Sequence, residues 1–169
     1  IHASAYTLET IRRHLFNDRI WPDFTGATID AVPLVRFHGV EPGDRRTLES
    51  GHEVTAVALT HVVPCQGYLL RRDGASVLVC GDTTTTDELW RFANAQADLK
   101  ALVVECSFTD DLLDLARKSK HMTPRLLLGP LTLGGGALVL AVGPLVRWMG
   151  ESVSGGDPSA VILIAAVAV

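Results

Sequence analysis

In residues 7–18 the apolar side chains Leu8, Ile11 and Leu15 recur at helical spacing, and Thr7 stands where its hydroxyl can cap the first turn. The spacing predicts an amphipathic helix that Trp21-Pro22 brings to an end. Residues 28–37 are rich in β-branched side chains and interrupted by Pro33, which reads as an edge strand, and residues 40–44 read as a loop. Residues 53–61 offer Val54, Val57 and Leu59 for burial, a strand pattern with His61 at its C-terminal end. Two apolar runs, 67–71 and 76–80, flank Arg72-Asp73-Gly74, an Asp-Gly turn that signals a hairpin. The second arm runs out into Gly81-Asp82.

Beyond the hairpin, Thr86 or Asp87 can cap a helix over residues 87–96, with acidic residues in its first turn where the helix dipole favours them. A short buried strand, 101–105, ends on Glu105; residues 111–118 are helical, another helix follows Pro124, and 137–141 is a strand. The order β, β-hairpin, α, β, α, α, β describes a layered α/β fold.

A chain of 169 residues fits a single domain spanning 1–169, and that length buries about two-thirds of its unfolded surface. With 47% hydrophobic and 20% charged residues, general disorder is excluded. A net charge of −4, with basic residues only in short pairs such as Arg12-Arg13 and Arg71-Arg72, argues against nucleic acid as a partner. Small anionic substrates remain open, because a metal can supply positive charge locally. Cys65, Cys80 and Cys106 are odd in number, widely spaced and without a CxxC pair, so they read as reduced and structural.

Residues 126–146 carry no charge and are long enough for a membrane span, but two prolines and five glycines break that stretch. No span is expected there; a buried helix, turn and strand is. The last ten residues, 160–169, are wholly apolar and read either as a core strand or as a region freed from the restraint of a site. Together 126–169 form a divergent apolar C-terminal region. The chain opens at Ile1 without Met or signal peptide, so it is expected to be a fragment, with the cytoplasm as its compartment and the periplasm as the alternative.

Chemistry is sought where layered α/β folds place it, at the ends of strands. His61, Asp82 and Glu105 each occupy such a position, and His121 follows in a Ser-Lys-His-Met-Thr-Pro loop. Neutral imidazole and carboxylate oxygen are ligands suited to Zn²⁺, Mn²⁺ or Fe²⁺. Taken in order, Thr60-His-Val-Val-Pro-Cys-Gln-Gly-Tyr-Leu-Leu70, Gly81-Asp-Thr-Thr-Thr-Thr-Asp-Glu-Leu-Trp90, Val104-Glu-Cys-Ser-Phe108 and Ser119-Lys-His-Met-Thr-Pro124 resemble the motifs of class II cyclic-nucleotide phosphodiesterases. Phe16-Asn17 and Trp21-Pro22-Asp23-Phe24 extend the likeness toward the start, so that it covers roughly residues 5–128.

The resemblance implies a partial metallo-β-lactamase-like αββα sandwich and hydrolysis of 3′,5′-cyclic nucleotides, cyclic AMP or cyclic GMP, to 5′-nucleotides. It implies His61 as a ligand to one metal, Asp82 as the bridge between two, and His121 paired with Glu105 beside the bond being cut. The implied cofactor is a divalent metal, zinc first, with two ions in a complete site. A homodimer is compatible with the resemblance. Two departures stand out. The His-x-His-x-Asp-His signature is absent, and no histidine follows His121, where Leu138–Pro144 occupies the place of a further metal-binding histidine. The fragment is therefore expected to be inactive alone. The competing readings are a non-catalytic module of the same fold that binds a nucleotide or a partner, and a tRNA 3′-processing type of hydrolase. His38 and His52 read as loop residues, Trp21 and Trp90 as core or helix-packing aromatics, and Thr83 to Thr86 as phosphate or helix-cap hydroxyls.

Overall fold

A computed structural model describes residues 1–128 and the strand Leu138–Val142. The apolar segment 160–169, the Gly129-Pro130 pair and Gly143 lie outside the described residues, as does most of the uncharged stretch. No helix among the described residues is long and apolar enough to cross a membrane. The chain divides into two compact units, Ile1–Asp44 and Arg45–Val169.

In the first unit, strand β1 (His2–Ala3) precedes helix α1 (Ala5–His14). The helix begins earlier than its apolar spacing predicts because Ser4, not Thr7, is the cap: its Oγ accepts from the Thr7 N–H at 3.2 Å. It also stops short of residue 18. The chain doubles back, the N–H groups of Asn17 and Asp18 both donating to the Trp21 carbonyl, with Asp18 at φ 59°. Leu8 is buried, whereas Leu15 and Trp21 are exposed, which corrects the expectation of Trp21 as a core aromatic. The expected edge strand over 28–37 is instead a minimal hairpin, β2 (Thr28–Ile29) against β3 (Val32–Pro33). Its two-residue turn holds Asp30 and Ala31 at φ 49° and 65°, the doubly positive pattern that fits the twist of paired strands. Alanine at such a position gives no turn signal, which is why the run reads as continuous. Strand β4 (His38–Gly39) pairs in parallel with β1, and the rings of His2 and His38 stack at 4.5 Å.

The second unit is built on one sheet. Strands β5 (Arg45–Thr47), β6 (Glu53–Leu59), β7 (Cys65–Arg72) and β8 (Ala75–Val79) follow one another antiparallel; helix α2 (Asp87–Asn94) then returns the chain so that β9 (Leu99–Glu105) lies parallel to β8. A 3₁₀ turn (Asp110–Leu112) leads into α3 (Leu113–Ser119) and α4 (Pro124–Leu128), and β10 (Leu138–Val142) closes the edge parallel to β9. The sheet order is β10-β9-β8-β7-β6-β5. The expected Asp-Gly turn is present, with Asp73 at φ 52° and Gly74 at φ 74°. Thr86 caps α2 by accepting from the Leu89 N–H at 3.3 Å.

Register makes the core. Leu69, Leu78 and Leu102 are direct cross-strand partners on β7, β8 and β9, and all are essentially inaccessible to solvent. Leu89, Trp90 and Ala93 of α2, with Met122 and Leu127, join the same apolar cluster. Each such leucine contributes about 1.5–3 kcal/mol by leaving water. Glycine is required at Gly67, where a Cβ would lie 2.8 Å from the Val79 carbonyl oxygen. The outcome is a mixed α/β unit whose strand ends gather the polar residues singled out above.

Candidate active site

Strands β6 and β9 both run toward one edge of the sheet, and β8 ends there too, so His61, Asp82 and Glu105 emerge at the same end. The loop between α3 and α4 brings His121 to them. The four side chains form a chain of neighbours. Asp82 Oδ2 lies 4.0 Å from His61 Nε2, the rings of His61 and His121 meet edge-on at 4.8 Å, and His121 Nδ1 donates to Glu105 Oε1 at 2.8 Å.

Glu105 is buried and is the hub. Its Oε1 also accepts from the backbone N–H of Met122 at 3.1 Å and of Thr83 at 3.4 Å, and its Oε2 accepts from the Ser107 N–H at 2.8 Å. Every contact is with a donor, which suits an acceptor-only carboxylate. Because the carboxylate accepts at Nδ1 of His121, that nitrogen carries a proton and Nε2 is left over. His61 shows the same logic: its Nδ1 lies 3.2 Å from the carbonyl oxygen of Lys120, which can only accept. Nε2 of His61 is therefore the lone-pair nitrogen, and it lies 4.0 Å from Asp82 Oδ2.

The sequence offers Thr83 as a phosphate or cap hydroxyl, and the structure gives it different work. It is buried, its Oγ1 accepts from the Thr60 N–H at 3.2 Å, and its own N–H reaches Glu105, so it ties the end of β6 to the end of β9. Its neighbours divide the remaining tasks: Thr84 N–H donates to the Thr60 carbonyl, Thr85 Oγ1 accepts from the Trp90 indole N–H, and Thr86 caps α2. A run of four threonines signals hydroxyl chemistry but not which hydroxyl faces inward. Lys120 carried no sequence signal beyond its place in the loop.

The thiols stay out of this chemistry. Burial, and then the neighbouring Asp82 charge, push Cys65 up, while burial pushes Cys80 and Cys106 up to about 12. All three are free thiols, as expected, and a neutral thiol is a poor ligand. Gly81 packs on Cys65, whose Sγ would be 3.1 Å from an added Cβ, and this fixes where Asp82 begins.

An imidazole with Nε2 free, 4.0 Å from an exposed carboxylate, suits a divalent metal ion in the type of its donors. Yet among the described residues no group of three or more His, Cys, Asp and Glu could hold an ion. The residues present fit two ligands of a metal site, not a whole one.

Comparison with known proteins gives the same direction. The model of the family described as class-II cAMP phosphodiesterases matches residues 1–133. A probable 3′,5′-cyclic-nucleotide phosphodiesterase of Yersinia pestis is 29% identical over 145 residues, covering 78% of this chain and 42% of the relative. The chain thus spans less than half of that protein. Among solved structures, unliganded yeast PDE1 has a TM-score of 0.69 at 17% identity, over 100% of this chain and 57% of that one. The metallo-β-lactamase fold protein YhfI of Bacillus subtilis has a TM-score of 0.67 at 14% identity, over 99% of this chain and 61% of that one. The metallo-β-lactamase fold expected from the motifs is the fold observed.

Proposed function

Because this chain belongs to the class-II cAMP phosphodiesterase family, we propose that it supplies one wall of a metal-dependent site that hydrolyses 3′,5′-cyclic nucleotides to 5′-nucleotides. The observation that carries the reading is the pairing of the buried Glu105 carboxylate with His121, set directly beside the His61–Asp82 pair. His61 Nε2 and Asp82 would hold a divalent cation on this wall, and such an ion would supply Lewis-acid neutralisation of the phosphoryl oxygens and activation of water.

The chain's own residues do the rest. Glu105 holds the Nδ1 proton of His121, which keeps Nε2 aimed away from the carboxylate and stabilises the ring when it carries a second proton. As water adds to phosphorus it gives up one proton to solvent while the P–O3′ bond breaks, and His121, doubly protonated at that moment, delivers its Nε2 proton to the departing 3′ oxygen. The products are a 5′-nucleotide with a free 3′ hydroxyl and a neutral His121. Thr83 keeps the strand ends carrying these groups in register.

The test is metal content by elemental analysis together with hydrolysis of cyclic AMP and cyclic GMP by the full chain and by a form extended upstream. The reading expects metal uptake and turnover in the extended form. If the extended form carries a His-x-His-x-Asp-His segment and still neither binds metal nor turns over, the reading fails. A second reading, a module that binds a nucleotide without cutting it, is favoured by Leu138–Pro144 standing where the resemblance places a further metal-binding histidine. It expects saturable cyclic-nucleotide binding with no 5′-nucleotide formed.

A further inference from the structure

Lys120 holds His61 from two directions. Its carbonyl oxygen accepts from His61 Nδ1 at 3.2 Å, and its ammonium donates to the His61 carbonyl at 3.2 Å. The two residues are 59 positions apart, so this clasp joins the end of β6 to the α3–α4 loop. The carbonyl can point there because Lys120 caps α3 in the left-handed region, φ 57° and ψ 48°. That conformation is one a glycine or asparagine takes readily and a β-branched residue does not. The turn is held in place by the Lys120 and His121 N–H groups, which donate to the Arg117 and Ala116 carbonyls.

We propose that Lys120 is a positioning residue: its left-handed backbone fixes the Nδ1–H tautomer of His61 and so presents the Nε2 lone pair next to Asp82. This rests on the reading of His61 as a metal ligand. The acceptor behind a ligating histidine sets both its tautomer and its basicity, and losing one typically weakens metal binding 10–100-fold. Here the acceptor is a main-chain carbonyl, so the sensitive property of residue 120 is its backbone conformation and not its charge.

The test is ¹⁵N spectroscopy of the histidine rings in the metal-free full chain, with zinc titration of the form extended upstream. Wild type is expected to show His61 protonated at Nδ1 and bare at Nε2. Lys120→Gly and Lys120→Asn, which accept the left-handed region, should keep that signature and bind zinc much as wild type does. Lys120→Val should give mixed tautomers and bind zinc roughly 10–100-fold more weakly. A wild-type His61 protonated at Nε2 overturns the proposal whether or not the valine variant folds. So does Lys120→Gly losing the tautomer or the affinity, which would make the ammonium the working part. His61→Ala separates the two levels: undiminished zinc binding sinks the ligand reading itself, whereas lost zinc binding with the wrong wild-type tautomer sinks only the role of Lys120.

Discussion

The central sheet carries a polar cluster at each end, and the two are built to different rules. At one end Arg71 donates through Nε and Nη2 to Asp98, at 2.5 and 3.0 Å, and through Nη2 to Gln96 at 2.9 Å, with Glu53 at 3.7 Å. Ser76 adds a hydrogen bond to Asp98. The charges are matched and the guanidinium fork faces acceptors along its length, an arrangement that holds β6, β7 and the start of β9 together. At the other end the interior-facing atoms are just as well paired, Glu105 with four donors and His61 with Lys120. There, however, both histidines are tied down at Nδ1 and keep Nε2 in hand, and Asp82 stands exposed. A saturated cluster stabilises; a cluster anchored on one side only is fit for a ligand.

The largest way to break this contrast is Asp82→Ala. In the extended form it should remove cyclic-nucleotide hydrolysis almost completely while leaving the melting temperature nearly unchanged, because the carboxylate is exposed and, among the described residues, its ion-pair distance is to the His61 ring at 4.0 Å. Near-normal turnover would reduce Asp82 to a turn residue. His121→Ala comes next: metal content should stay near wild type and the rate should fall by roughly 10²–10⁴, the usual cost of losing general acid–base catalysis. Loss of metal without loss of rate would exchange the roles given to His121 and His61.

Glu105→Ala links the site to the fold. It strands buried N–H groups of Thr83 and Met122, each costing about 1–3 kcal/mol, so denaturant unfolding should shift markedly as activity falls. Unchanged stability would mean those groups find other partners.

At the opposite end, Asp98→Asn should leave turnover intact and change only the pH dependence of stability. The hydrogen bond from Arg71 holds the Asp98 carboxyl down at about 2. A depressed carboxylate stabilises the fold fully above its unfolded value of about 3.9 and loses that contribution as pH falls toward 2. Wild type and variant should therefore differ in denaturation midpoint at pH 6 and converge near pH 2. A constant difference across that window would show that ionisation of Asp98 is not what Arg71 uses. The smallest effect is Thr86→Ala, which removes the α2 cap and should cost about 1 kcal/mol by denaturation with no change in activity.

The legible parts of the fold were those with short-range causes. The Asp73-Gly74 turn, the Thr86 cap and the strand endings at His61, Asp82 and Glu105 follow from local periodicity and turn chemistry. The Asp30-Ala31 turn escaped because alanine rarely takes positive φ. Ser4 displaced Thr7 as a cap because both hydroxyls precede an amphipathic run and only geometry chooses between them.

By itself the sequence determined the family, the order of elements from β6 to β10 and the four polar residues that end up together, because motif order and apolar spacing are written along the chain. Tertiary structure alone decided which nitrogen of His61 and of His121 is tied down, that Thr83 faces inward to bridge Thr60 and Glu105, and that Lys120 clasps His61. Each of these rests on hydrogen bonds between residues far apart in sequence, Thr60 to Thr83 and His61 to Lys120 among them. A donor's partner is fixed only once the sheet brings both strand ends to one edge, and no local pattern encodes that meeting.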